Sequence, residues 1–248
     1  MLARAAVTGK DGVMPDQMTP DSETTLLHDA TQRLVRAVDS LDDEAWREPS
    51  GLPGWTRAHV LAHLILNAEG LAGSLTGIVT DEPMPMYASQ EARDRDVEEL
   101  SQLDPGELRT RLLGATTAFT DALAAVPDDG WTTSIERVPG GPRFRAGSVQ
   151  GMRLREVEIH HVDLRVGYSP ADWEPEFGVR VIEAMGRRDL SAQSFRVRAT
   201  DVDRTWAFGE DGPTVSGTAA DLAWWLTGRG NGEGLTSDDG ELPVIGAW

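Results

Sequence analysis

The sequence contains no cysteine. That absence removes disulfides, cysteine-ligated zinc and a protein thiol nucleophile together. Chemistry that needs sulfur must therefore take it from a small-molecule thiol. Positive charge is also scarce: 23 Lys and Arg against 41 Asp and Glu leave a formal net charge of −18. Nucleic acid and anionic membranes both require a basic face, so neither is expected as a partner. In so acidic a chain, an arginine inside a site gains weight as an anion clamp. No apolar run approaches the roughly 20 residues of a membrane span. The N-terminus carries no signal-peptide core, because Leu2 to Val7 is too short. A cytoplasmic location is the expectation. No internal repeat is visible, and a hydrophobic fraction of 40% suits a globular protein.

Histidine is sparse as well, and its placement is uneven. Four of the five histidines fall in two short stretches. The first is Arg155-Glu156-Val157-Glu158-Ile159-His160-His161-Val162-Asp163-Leu164. It reads as helix, since Met152, Leu154, Val157, Ile159, Val162, Leu164 and Val166 fill a broad apolar side. Residues four apart on a helix lie one above the other, so Glu156 and His160 point the same way. A carboxylate and an imidazole one turn apart suit a borderline cation such as Zn²⁺, and equally suit a plain surface contact. The second stretch, Pro53-Gly54-Trp55-Thr56-Arg57-Ala58-His59-Val60-Leu61-Ala62-His63-Leu64, opens a helix with Thr56 as N-cap. His59 and His63 are again four apart. Two such helices converging in a bundle could share one ion, with the histidines as core or cap residues the alternative.

Around these stretches the periodicity organises the chain. Residues 1–20 read as a disordered tail. A first helix runs from Ser22 to Leu41 on Leu27, Ala30, Leu34, Val38 and Leu41, and Asp42 to Pro53 is a loop carrying Trp46. The second helix, Thr56 to Val79, bears the histidine pair, with Gly70, Gly73 and Gly77 allowing close packing. After a connection over Thr80 to Tyr87, residues 85–93 open a polar helix. Asp104-Pro105 starts a long helix to Val126 with Leu108, Leu112, Ala115, Phe119 and Leu123 inward. Trp131 to Arg145 is irregular, with a Pro139-Gly140-Gly141-Pro142 turn between short extended arms, and the Glu156/His160 helix spans Gly147 to Gly167. Four substantial helices with these connections suggest an up-down bundle. Tyr168-Ser169-Pro170 reads as a boundary. Beyond it come a helix over Glu174 to Leu190, strands at Phe195–Ala199, Arg204–Phe208 and Thr214–Ser216, and a helix through Trp224-Trp225 ended by Gly228-Arg229-Gly230. The expected fold class is α+β, with a tail (1–20), a four-helix bundle (21–168) and a small C-terminal α+β domain (169–248).

In combination and in order, certain motifs resemble the mycothiol-dependent maleylpyruvate isomerase family. They are Gly54-Trp55-Thr56-Arg57 with Ala62-His63, Pro85-Met86-Tyr87 with Glu91-Ala92-Arg93, and Arg155-Glu156-Val157. Ile159-His160 with Val162-Asp163-Leu164, Val215-Ser216-Gly217 and Gly228-Arg229-Gly230 complete the set. The resemblance runs from about residue 22 to the C-terminus. It implies a DinB-like bundle holding zinc through His63, Glu156 and His160, followed by a small α/β domain. His59 stands where the wider superfamily often has other residues, so the resemblance leaves it out of the ligand set. It also implies mycothiol as thiol cofactor and a small anionic substrate, in a protein expected to be monomeric. Thiolate addition to maleylpyruvate, rotation about the resulting single bond and elimination would yield fumarylpyruvate. Arg93 and Arg229 match positions for gripping the substrate's charge, and their bland roles are a solvated helix arginine and a helix cap. A mycothiol S-transferase on the same site, or a ligand-binding module without catalysis, are the alternative functions.

Overall fold

The computed structural model describes residues 20–188 and 194–248. The expected tail over residues 1–19 and the end of the helix expected to reach Leu190 lie outside the described residues. The chain divides into two compact units, with the division between Gly167 and Tyr168.

The first unit is built on α1 (Pro20–Asp39), α2 (Arg57–Val79), α3 (Gln90–Ser101), α4 (Pro105–Ala125) and α5 (Val149–Asp163). Two of the starts show a clear local cause. The Asp104 carboxylate accepts from Gly106 N ahead of Pro105 at the first turn of α4. Ser89 Oγ accepts from Ala92 N, so α3 begins at Gln90 and not within residues 85–89. The apolar stripes face inward as the periodicity requires: Leu27, Ala30, Leu34 and Val38 of α1 and Leu108, Leu112, Phe119 and Leu123 of α4 are buried. α2 is apolar nearly all round and takes the middle of the unit, with Val60, Leu61, Leu64, Ile65, Leu71 and Leu75 inaccessible to solvent.

The helix order differs from the expected up-down arrangement. α2 packs on α4 and α5, and α1 packs on α5 and, over a smaller area, on α4. Consecutive helices α1 and α2 are therefore diagonal. Residues 40–56 make that crossing possible, because the loop is long and anchored. Trp46 is fully buried under the Arg109 guanidinium, 4.8 Å from the ring centre. Arg57 Nε donates to Leu164 O (2.7 Å) and its Nη2 to Arg165 O (3.1 Å), which ties the start of α2 to the end of α5. Between α4 and α5 the irregular segment forms the hairpin β1 (Ser134–Glu136) and β2 (Arg143–Arg145), paired antiparallel.

The second unit carries α6 (Pro175–Met185) and α7 (Ala219–Leu226), packed on each other, and a sheet. Strands β3 (Phe195–Ala199), β4 (Arg204–Phe208), β5 (Thr214–Gly217) and β6 (Thr236–Ser237) stand in the order β4-β3-β5-β6. The β3–β5 pair is parallel and the other two pairs are antiparallel. Alternation turns Phe195, Val197 and Ala199 inward, where Phe195 stacks on Phe208 with ring centres 4.9 Å apart. β6 is only two residues long, too short to leave a periodic signal. The fold is thus α+β. Among the described residues, no helix is long and apolar enough to cross a membrane.

Glycine enters the packing of α2 at Gly70 and Gly77, where a Cβ on Gly77 would stand 2.5 Å from the Glu82 carbonyl oxygen. A Cβ on Gly70 would stand 2.6 Å from the Met86 carbonyl oxygen, so the segment before α3 seats directly on the α2 backbone. Gly114, on α4, has nothing within 4 Å of the corresponding point. Gly70→Ala is expected to cost about 1–3 kcal/mol by overpacking against main chain. Gly114→Ala should instead add about 0.5–1 kcal/mol through helix propensity. Urea unfolding of both variants checks the pair; equal shifts would refute the seating of Met86 on α2.

Candidate metal centre

His63 enters the interior from the second turn of α2, and Glu156 and His160 enter from successive turns of α5. Because α2 and α5 are neighbours, the three side chains meet. His63 Nε2 donates to Glu156 Oε2 at 2.9 Å, and His160 Nε2 approaches the same oxygen at 3.3 Å. The two imidazoles stand edge to face, 4.7 Å between centres. One potential ligand atom from each residue lies within 4.8 Å of the others. Adjacent ligands of a tetrahedral zinc stand about 3.3 Å apart, a spacing comparable to that of these atoms. Two imidazole nitrogens and one carboxylate oxygen leave a fourth position open, the arrangement of catalytic rather than structural zinc.

The surroundings orient each ligand. His160 Nδ1 donates to Asp163 Oδ2 at 2.8 Å, which fixes the ring and directs Nε2 toward Glu156. Asp163 is itself buried, and its main-chain oxygen accepts from Gly51 N. Arg93 Nη2 donates to His63 Nδ1 at 2.9 Å, and Arg93 lies 5.8 Å from the centre of the Trp55 ring. The Arg93 Nη1 donates to Asp94, while its Nε is buried with no acceptor. Trp55 also flanks His63, 5.9 Å between ring centres.

Burial and charge set the protonation of the group. Burial lowers the His63 pKa to about 4 against the opposing pull of Glu156, so this imidazole is neutral at neutral pH. Burial opposes charge on His160 too, but hydrogen bonds to Asp163 and Glu156 outweigh it and raise its pKa. Glu156 shows the same contest: burial would raise its pKa, yet the hydrogen bonds from His160 and His63 hold it well below the ordinary value.

The other residues singled out in the sequence are placed as follows. His59 does not join the group. Its Nδ1 accepts from Thr56 N (3.2 Å) and contacts Thr56 Oγ1 (2.7 Å), completing a capping box at the start of α2. Its Nε2 lies 3.1 Å from Glu98. His161 is buried on α5 beside the site. Arg229 belongs to the C-terminal unit, where its guanidinium lies between the Trp224 and Trp248 rings at 5.7 and 5.5 Å, just past the end of α7. Residue reasoning passed over Asp163, although it stands three residues after His160 and so on the same helix face. It also gave no role to Tyr87. Burial and the nearby Glu156 charge raise the pKa of that phenol, while the Arg93 guanidinium within hydrogen-bonding reach opposes the rise.

Two crystal structures, of a mycothiol-dependent maleylpyruvate isomerase and of a histidine-to-alanine mutant of it, superpose on the chain with a TM-score of 0.85 at 27% sequence identity. The match covers 93% of this chain and 98% of theirs. Two uncharacterised proteins from two strains of Mycobacterium tuberculosis are 31% identical over 138 residues, which is 53% of this chain. The chain spans about half the length of these curated relatives, 50% in each case. Residues 27–165, which contain α2, α5 and the whole His63–Glu156–His160 group, match the family described as the mycothiol maleylpyruvate isomerase N-terminal domain, and the chain belongs to that family.

Proposed function

We propose that the protein is a zinc- and mycothiol-dependent isomerase that converts maleylpyruvate to fumarylpyruvate. The observation that carries this reading is the buried His63–Glu156–His160 group, backed by Asp163, inside the domain matched to the family. Zinc at this group would hold an external thiol as thiolate, the nucleophile whose reversible addition to a cis double bond allows rotation. The chain has no cysteine of its own to compete for that position.

The protein's residues supply orientation and charge. Asp163 holds the His160 Nδ1 proton, which would leave Nε2 free to bind an ion. Arg93 uses His63 Nδ1 as an acceptor. For His63 Nε2 to bind a cation, the ring proton must move to Nδ1, where it meets Arg93 donor to donor. Arg93 then needs a new acceptor, and a substrate carboxylate or developing enolate provides one. Arg229 is assigned a parallel role as partner of the substrate's charge, in a protein taken to act as a cytoplasmic monomer. The assay is turnover of maleylpyruvate with and without mycothiol. Conversion to fumarylpyruvate only with the thiol is expected; a stable thiol conjugate as sole product would mark an S-transferase instead.

Zinc content tests the ligand set. His63→Ala, Glu156→Ala and His160→Ala should each lose most of the metal, whereas His59→Ala should retain it. One zinc per chain in Glu156→Ala and His160→Ala would sink the assignment. Because the ligands come from two helices, chelation should also lower the melting temperature. Binding only to the folded state adds about 4 kcal/mol at a thousandfold excess over the dissociation constant.

Zinc affinity should depend on pH through one proton. His160 carries a raised pKa and must lose its proton to bind, while His63 is neutral down to about pH 4. Apparent affinity should therefore fall about tenfold per unit as pH drops below the His160 value, and level off above it. Asp163→Asn removes a carboxylate that holds the proton, so the onset of that fall should move to lower pH. Competition titrations across pH decide it; a hundredfold loss per unit near neutrality would mean that both imidazoles are protonated.

Steady-state kinetics test the C-terminal arginine. Arg229→Ala should lower kcat more than it raises KM, with zinc content unchanged. Wild-type turnover would leave Arg229 as the cap of α7 only.

A further inference from the structure

Arg153 is the most deeply buried arginine of the described residues and has no carboxylate partner among them. It stands on α5 one turn before Glu156 and is 2% exposed. Only its Nη1 donates, to Leu64 O and to Asn67 Oδ1, both at 2.8 Å. Both acceptors are neutral. The Nε–H and Nη2–H edge, the fork that grips a carboxylate with two parallel hydrogen bonds, donates to no described residue. Burial pulls the pKa down to about 10, so the group remains a cation at neutral pH. A buried, unpaired charge is costly, and folds retain one where a ligand completes it.

The neighbourhood indicates which ligand. Glu156 and Tyr87 are close enough to Arg153 to bias its charge. The Tyr87 phenol lies beside Arg93 as well, with the Arg137 guanidinium 5.7 Å from its ring centre. Its backbone is fixed from two sides. Met86 N and Tyr87 N donate to Glu136 O and Arg137 O at 2.9 Å, and Gly70 lets the Met86 carbonyl seat on α2. Arg153 thus lies near Glu156, whose oxygen already faces two imidazoles, one of which accepts from Arg93. Glu156 is therefore committed to the imidazoles and makes no ion pair with Arg153 among the described residues.

We propose that the free edge of Arg153, with the Tyr87 hydroxyl, forms a carboxylate-binding subsite inside the bundle next to the His63–Glu156–His160 group. This rests on the proposed function and deepens it by naming where one carboxylate end of the substrate is held. A planar carboxylate fits a two-pronged guanidinium edge and one hydroxyl. A carboxylate held there would keep the rest of the substrate close to the His63–Glu156–His160 group. Arg153 is then a binding and specificity residue, with Asn67 and the Leu64 carbonyl fixing its Nη1 and leaving the other edge for the ligand.

The test uses the zinc-loaded full chain and succinate, a dicarboxylate with no double bond to react. Succinate should raise the melting temperature of the wild type in a saturable way, and succinamide should not. In Arg153→Met the rise should vanish while zinc content stays normal. Without ligand, that variant should melt no lower than wild type, because an unpaired buried charge has been replaced by an apolar chain of similar length. Arg153→Lys and Tyr87→Phe should each weaken the rise, and they carry the comparison if Arg153→Met does not fold. With maleylpyruvate, Arg153→Lys should raise KM about tenfold or more, as loss of a charged bidentate contact implies. No rise in the wild type, or an equal rise in Arg153→Met, overturns the subsite. So does a rise abolished in His63→Ala but intact in Arg153→Met, which would put the carboxylate on the metal. A rise lost in Arg153→Met from a protein that never turns over maleylpyruvate would keep the subsite and reject the isomerase.

Discussion

One carboxylate oxygen, Glu156 Oε2, is met by imidazoles from two different helices, and that meeting depends on α2 and α5 lying side by side. Packing alone would let the helices slide. Polar ties at one end prevent it: Arg57 of α2 binds the carbonyls of Leu164 and Arg165, and Gly51 N binds the Asp163 carbonyl. Asp163 therefore works twice. Its main chain locks the end of α5 to the loop before α2, and its side chain turns His160 toward Glu156. A Cβ on Gly51 would come within 3.2 Å of the Asp163 backbone, a tight contact that a larger residue would press.

The electrostatics of the site run against those of the chain. The protein carries −18 overall, yet its metal group is ringed by Arg93, Arg153 and, over Tyr87, Arg137. Each has a different neighbour: a ligand imidazole, two neutral oxygens, and an aromatic ring. Low exposure strengthens these interactions, because little water remains to screen them. The negative charge of the chain thus lies mostly at its surface, while these three guanidiniums are gathered near the bundle interior.

The C-terminal unit is held mainly by aromatic packing. Phe195 touches both Phe208 and Trp225, and Trp173 meets Phe177 and Trp224 edge to face. Arg229 joins the same cluster of rings, with indoles on two sides. That clamp restricts the guanidinium to few directions.

The sequence by itself determined the helices of the bundle, the three strands β3, β4 and β5, and the shared face of Glu156 and His160. Those follow from spacing along one segment, where 3.6 and 2 residues per repeat are enough. Absence of cysteine likewise settled that any thiol comes from outside. Spacing left His59 and His63 open; the resemblance favoured His63, and the tertiary structure supplies the physical reason. His59 and His63 are equivalent by spacing, but the Thr56 cap claims His59 because it falls at the third helical position, while His63 reaches the neighbouring helix. The diagonal placement of α1 and α2, the strand β6, and the inward turn of Arg153 were also decided there. Periodicity says which residues share a face; it does not say which face another element will cover, and for a buried arginine or a two-residue strand that covering element is the whole cause.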